Sequence, residues 1–244
     1  MSVEICDYRH GRLLYLPGDP YMGKFLRERG EYSEEEVTLF AQLLRPEDVV
    51  IEVGSNIGCH TIPMSRMCRT VFAFEAQRFL FNMLCGNLAL NGIHNVLPAF
   101  AAVGGEHGQM AVPAVDYDAE GVNFGGISML PAHATDNAVI LIPLDDMGYM
   151  LDHLRLLKAD CEGMEYDVLV GAQNLIRKTR PILYLEDDRE RQRAGLHRLV
   201  HDLGYRMYRH MPPYLTGDPL LVSVNLLCVP GEQEIVVRGL DEIG

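Results

Sequence analysis

Short apolar runs alternate along this chain with segments whose apolar residues recur every three or four positions, a rhythm that predicts strands alternating with helices. Ser33 followed by Glu36 has the spacing of a capping box, and behind it Val37, Phe40, Leu43 and Leu44 share a helical face until Pro46. VVIEVG (49–54) predicts a strand covered on both faces. Thr61 to Met67 predicts a helix with Pro63 in its first turns, and TVFAFE (70–75) a second buried strand. Leu80, Leu84 and Leu88 set a helical period that closes at Asn91-Gly92. NVLPAFAAVG (95–104) predicts a third strand, with Pro98 an awkward residue for its centre.

From Gly104 to about Met147 the helical rhythm is lost, and β-like runs at MAVPAV (110–115) and AVILIPL (138–144) predict an irregular insertion containing a hairpin. The alternation then resumes. LRLLKAD (154–160) predicts a strand, Met164, Val168, Leu169, Ala172, Leu175 and Ile176 a helix face, and PILYLE (181–186) another strand. A helix carrying Leu196, Leu199, Val200 and Leu203 stops at Gly204, and YRMYRH (205–210) and LLVSVNLLCV (220–229) follow as an antiparallel pair. These alternations predict a doubly wound, mostly parallel sheet with helices on both faces. The chain 1–244 reads as one domain, with 1–45 a helical or cap extension and 104–147 an insertion between strands. Ligands of such sheets lie beyond the carboxyl ends of the strands, which points to the residues after 54, 75, 104, 160 and 186.

Composition narrows the class. With 48% hydrophobic and 23% charged residues over 244 positions, the chain is expected to fold. Lys and Arg number 21 against 34 Asp and Glu, and the resulting charge of −13 argues against a nucleic-acid partner. No apolar run approaches the roughly 20 residues that span a bilayer, and the polar N-terminus lacks a signal peptide's apolar core. A cytoplasmic protein without a membrane partner is expected. The six cysteines include no C-x-x-C pair and read as free thiols.

The chemistry starts at Glu52-Val-Gly54-Ser55-Asn56-Ile-Gly58, where the first buried strand turns into a helix. Gly54 permits a sharp turn, Gly58 a close approach, and amides at the helix start suit an anionic group. Glu75 ends the next strand, where an acid can hold ribose hydroxyls. A dinucleotide fingerprint would need glycine where Asn56 and Cys59 stand, and no G-x-x-x-x-G-K-[ST] occurs. The acid-x-Gly-x-Asn-x-Gly pattern suits S-adenosylmethionine better.

Together EVGSNIG, FAFEA, NFGGIS (123–128) and KADCEGMEYDVLVGA (158–172) resemble the FkbM-type methyltransferases, over most of the chain from about Glu31. The resemblance implies a seven-stranded, Rossmann-like class I methyltransferase sheet, S-adenosylmethionine as donor, and a hydroxyl acceptor on a small molecule, saccharide or natural product. It implies that Glu52, Gly54, Ser55, Asn56 and Gly58 form the donor loop, that Glu75 holds the ribose, and that Ala101 and Ala102 lie near adenine. Lys158, Asp160, Glu162, Gly163 and Glu165 match the second block. Glu52 stands where Asp is more usual, and Cys161 where an aliphatic residue is.

Methyl transfer is an in-line displacement that needs alignment, and an alcohol acceptor also needs a base. Asp160, Glu162 and Glu186 stand at strand ends facing the expected cleft, with Asp160 the first choice; for Glu162 and Glu165, stabilising a helix N-terminus is the competing reading. Glu186, Asp187 and Asp188 with Asp160 could hold a divalent cation, although a solvated acidic loop is the simpler account and no metal is assigned. His60, beside the donor loop, is the alternative base, ahead of His107 and His133. Asn123 and Ser128 flank paired glycines that could form a lid. The competing functions are an NAD-type oxidoreductase and a non-catalytic S-adenosylmethionine-binding module.

Overall fold

Val49–Val53 has every residue buried, and such a run is stable only between two layers. A computed structural model describes residues 3–117, 119, 121–127, 138–217 and 220–243. In chain order the elements are β1 (Glu4–Tyr8), β2 (Gly11–Tyr15), α1 (Met22–Arg29), α2 (Glu34–Leu43), β3 (Val49–Val53), α3 (Thr61–Met67), β4 (Thr70–Glu75), α4 (Arg78–Leu90), β5 (Val96–Phe100), β6 (Ala102–Val103), β7 (Gly108–Ala111) and β8 (Ala138–Ile142). A 3₁₀ turn at Leu144–Tyr149 precedes β9 (Leu156–Ala159), α5 (Glu165–Val170), α6 (Gln173–Thr179), β10 (Ile182–Glu186), α7 (Glu190–Asp202), β11 (Tyr205–His210), β12 (Asn225–Pro230) and β13 (Asp241–Ile243).

The main sheet has the order β13-β11-β12-β10-β9-β3-β4-β5. Pairings among β10, β9, β3, β4 and β5 are parallel, while β12 pairs antiparallel with β10 and β11, and β13 antiparallel with β11. Side chains alternate across it. Ile51, Val53, Leu157 and Leu183 pack with Val168, Leu175 and Val200 on one face. On the other, Val50, Leu156 and Ile182 pack with Phe40, Met64 and Leu84.

Several expectations change. The sheet has eight strands of mixed direction, so the seven-stranded expectation is corrected: β13 is three residues of mainly exposed DEI, with no hydrophobic pattern to announce it, and it displaces the β11–β12 pair from the edge. A β1–β2 hairpin and α1 precede the first helix read from the sequence. Ser33 forms no capping box, because it sits at φ 50 and its side chain makes no cap hydrogen bond. The third strand ends at Phe100, and Ala102–Val103 pairs instead with β8, which forms the expected hairpin with β7. Pro98 is accommodated because β5 is an edge strand. The helix read over 164–176 is two helices, broken where a side chain at Gly171 would collide with the Gly104 carbonyl. The six cysteines are free thiols, and no helix among the described residues is long and apolar enough to cross a membrane.

Candidate functional site

Strand order places the carboxyl ends of β10, β9, β3 and β4 side by side, and a cleft of about 390 Å³ opens along them. After β3 the chain proceeds to β4 on one side, while β9 returns on the other, so β3 and β9 form the switch point. There Gly54 has φ +83, and a side chain on it would collide with the Asp160 carbonyl. Glycine at 54 therefore lets the two crest loops touch. Asn56 follows at φ 49, a left-handed conformation that Asn tolerates well.

Glu75 is buried, and both of its oxygens accept backbone amides: Oε2 from Asn56 (2.8 Å) and Oε1 from Gln77 (2.7 Å). Burial raises its carboxyl to about 7, against the lowering effect of those amides. Ser55, Asn56, Ala101 and Ala102 line the cleft with it. Gly58, at φ +98, packs its Cα against Leu84 below the loop and does not line the cleft.

Glu52 also lines the cleft. It is the fourth residue of β3, and strand alternation turns it onto the face covered by α2 and α3, where Thr61 Oγ1 donates to it at 2.5 Å. In register, Glu52 pairs with Lys158 and Lys158 with Tyr184, a polar row across β3, β9 and β10. Lys158 is buried and donates from Nζ to Asp160 Oδ2 at 2.9 Å. Burial by itself would lower this ammonium, yet Asp160, Glu52 and Glu36 together hold it above its ordinary value. Burial raises Glu36 to about 8 and Glu52 to about 7. The sequence displayed Lys158 as a cation near the end of an apolar strand, but its partners became visible only through strand register.

Asp160, Glu162 and Glu186 come together, each offering a carboxylate oxygen within 4.8 Å of the others. Glu162 stands at φ 57, a conformation uncommon outside glycine, and is paired with Arg189. Burial, reinforced by Asp160, raises Glu162 to about 8, and burial with the neighbouring acids raises Glu186 well above the usual carboxylate range. Oxygens for a cation would come from these three residues. Asp187 turns away to Arg193 (3.2 Å) and His197 (3.1 Å), and Asp188 pairs with Arg189, which corrects the acidic loop proposed from sequence. Glu165 folds back to accept the amides of Cys161 (2.8 Å) and Gly163 (3.4 Å), so it shapes the turn.

The NFGGIS segment lies on the 54–58 loop through its described part. Phe124 is buried against Ile57 and Leu80, its amide donates to Asp19 Oδ2 (3.1 Å), and Gln77 Nε2 donates to its carbonyl (2.9 Å). A side chain on Gly125 would collide with Asn56, and Asn123 lines the cleft. Ser128 and His133 lie outside the described residues. His107 pairs with Asp146 on the surface, whereas His60 is buried in the cleft wall. Tyr32 and Glu36, expected from sequence to cap the cleft, do line it, whereas sequence reading missed Tyr214 and Ser223.

Glu36, Glu52, Glu75 and Glu162 are raised to about 7 or 8 from the ordinary 4.5, and Glu186 lies well above it. Such groups favour the fold fully below the unfolded-state value and lose that contribution as pH rises through the folded one. The protein is therefore expected to melt at progressively lower temperature as pH rises from about 5 to about 8, levelling off once Glu52, Glu75, Glu36 and Glu162 have ionised. Calorimetry across that window, with Glu36→Gln flattening the slope, checks this; a melting temperature that rises with pH contradicts it.

A crystal structure of methyltransferase FkbM from Methylobacillus flagellatus superposes with a TM-score of 0.52 at 14% identity, covering 78% of this chain and 50% of that one. Trm5b from Pyrococcus abyssi gives 0.52 at 11% identity, covering 94% and 56%. These likenesses are of fold. A curated tRNA(Phe) (4-demethylwyosine(37)-C(7)) aminocarboxypropyltransferase of Methanocaldococcus jannaschii is 28% identical over 82 residues, 33% of this chain and 32% of that protein. The chain thus spans about a third of this curated relative and about half of the two solved structures. The family model described as the methyltransferase FkbM domain matches residues 52–207, from the crest of β3 to β11, and on that match the chain belongs to the FkbM methyltransferase family.

Proposed function

We propose that this chain transfers a methyl group from S-adenosylmethionine to a hydroxyl of a small-molecule or saccharide acceptor. The observation that carries the reading is one cleft holding both the Gly54–Glu75 crest and the Asp160–Glu162–Glu186 cluster. Its volume of about 390 Å³ falls in the usual range for cofactor sites. The residues fit the donor's nucleoside end: Glu75 accepts from ribose hydroxyls and Ala101 and Ala102 border the adenine, while the amides of Gly54, Ser55 and Asn56 are taken by the Phe74 carbonyl and Glu75 and hold the loop in shape. Bound there, the donor supplies an electrophilic methyl carbon on a sulfonium. Asp160 takes the acceptor's proton as its oxygen attacks, and Lys158 fixes that carboxylate by its 2.9 Å hydrogen bond. Glu186, whose carboxyl burial and the neighbouring acids push well above the usual range, lines the same wall. Acids dominate this wall, which disfavours a phosphate-bearing acceptor.

Calorimetric titration with S-adenosylmethionine, S-adenosylhomocysteine and NAD tests the donor. Saturable binding of the first two alone is expected, and NAD binding alone would turn the reading to redox chemistry. Product analysis separates catalysis from a donor-binding module: S-adenosylhomocysteine must accumulate, and 5′-methylthioadenosine in its place rejects methyl transfer. Glu75→Ala is expected to weaken donor binding by about 1–3 kcal/mol, since two or more polar contacts lose their acceptor. An unchanged Kd retires the ribose role.

A further inference from the structure

Behind the acidic cluster the cleft continues into a wall made by the start of α2, the start of α3 and the loop before β12. Ser33, Glu36 and His60 line it and are each more than nine-tenths buried. Ser33 Oγ and His60 Nε2 are buried there without a hydrogen-bond partner, the nearest carboxylate oxygen to Nε2 being Glu36 Oε2 at 3.9 Å, beyond hydrogen-bond reach. Two orphaned polar atoms in one pocket wall are costly in a folded protein and point to a ligand that completes them. Beside them Tyr32 and Tyr214 stack at 5.6 Å, backed by Phe25 at 6.4 Å from each. The wall is a built unit: the Ser33 amide donates to the Tyr214 carbonyl at 2.9 Å, and Glu31 accepts the Thr216 amide at 3.2 Å.

We infer that Ser33, Glu36 and His60, walled by Tyr32 and Tyr214, form a subsite that recognises an uncharged, hydroxyl-bearing group of the acceptor. The inference rests on the methyl-transfer reading and adds residues and a ligand class to it. Polarity fixes the class. Burial keeps His60 neutral, its value lying well below the ordinary one, so Nε2 in the Nδ1–H tautomer is an acceptor. Glu36, raised to about 8, is a neutral acid near pH 7 and supplies a donor, while Ser33 supplies either. An anionic group would face Glu36, Asp160 and Glu52. A cationic group would compete with Lys158, which already neutralises that set. A hydroxylated ring satisfies both orphaned atoms and lays its apolar face on the tyrosines.

The test uses the full chain saturated with S-adenosylhomocysteine and three sugar probes: methyl α-glucopyranoside, glucosamine and glucose 6-phosphate. Saturation-transfer NMR is expected to show binding of the neutral glycoside ahead of both charged sugars, with the signal falling at least threefold in Ser33→Ala/His60→Phe. Lack of a neutral-probe signal, an unchanged signal in the double variant, or stronger binding of either charged sugar overturns the subsite. A second measurement needs no acceptor. Ser33→Ala alone is expected to keep or raise the melting temperature, because it removes a buried hydroxyl that lacks a partner; a fall of more than about 2 °C shows that the hydroxyl holds the fold and overturns the inference. Should S-adenosylhomocysteine itself fail to bind, the methyl-transfer reading fails, and the same three sugars titrated into the ligand-free protein still decide the subsite.

Discussion

Asp160→Asn is expected to lower turnover by about 10²–10⁴-fold while leaving donor affinity within a few-fold, the size of effect seen when a positioned base is removed. The side chain sits 2.9 Å from Lys158 and a third exposed at the crest of β9, open to the cleft rather than closed into the core. Asparagine keeps an oxygen for Lys158 and loses the capacity to take a proton. Alanine loses both. Equal loss in the two variants identifies proton transfer as the role. An asparagine variant with near-normal turnover identifies orientation through the hydrogen bond instead, and Glu162 or Glu186 then becomes the base. The measurement is S-adenosylhomocysteine formation on an acceptor found by mass-spectrometric screening, with donor Kd by calorimetry for each variant.

Lys158→Met is expected to destabilise the fold by about 3–5 kcal/mol near pH 8, because removing one partner of a buried ionic set strands the others. The stranded groups are Glu52, Asp160 and Glu36, all named by their influence on the ammonium. Glu52 and Glu36 reach only about 7 and 8 with the lysine present, so below about pH 6 they are protonated and the loss should shrink. Urea unfolding at two pH values reads this directly. Glu52→Gln combined with Lys158→Met should recover part of the loss, a non-additivity expected of residues in one network. Equal losses at both pH values, with additive variants, would assign the effect to packing of the lysine stem alone.

The two predictions differ in how visible their residues were beforehand. Asp160 announced itself: it is an acid directly after an apolar strand in a chain whose alternation marks the crest as the ligand side. Lys158 carried a signal without a meaning. Its burial depends on which strands flank β9, and local spacing does not contain that order. The same holds for the capping box. Ser33 and Glu36 have the right separation, but the hydrogen bond between the Ser33 amide and Tyr214, 181 positions away by their numbers, holds the serine in a left-handed turn facing the cleft.

Periodicity and turn chemistry thus determined by themselves the alternation of strands and helices between α2 and β12, the doubly wound class, the Gly54–Asn56 loop and the acids at strand ends, since each follows from forces acting over a few residues. Only the tertiary structure decided that β13 completes the sheet, that Glu52 belongs to a buried row with Lys158 and Tyr184, that Glu186 meets Asp160 and Glu162 while Asp187 turns to Arg193 and His197, and that Ser33 and His60 line one cleft. Those outcomes depend on strand register and on loops brought together from distant parts of the chain. A residue's side in a sheet follows from alternation, but its neighbours follow from pairing, which long-range packing selects.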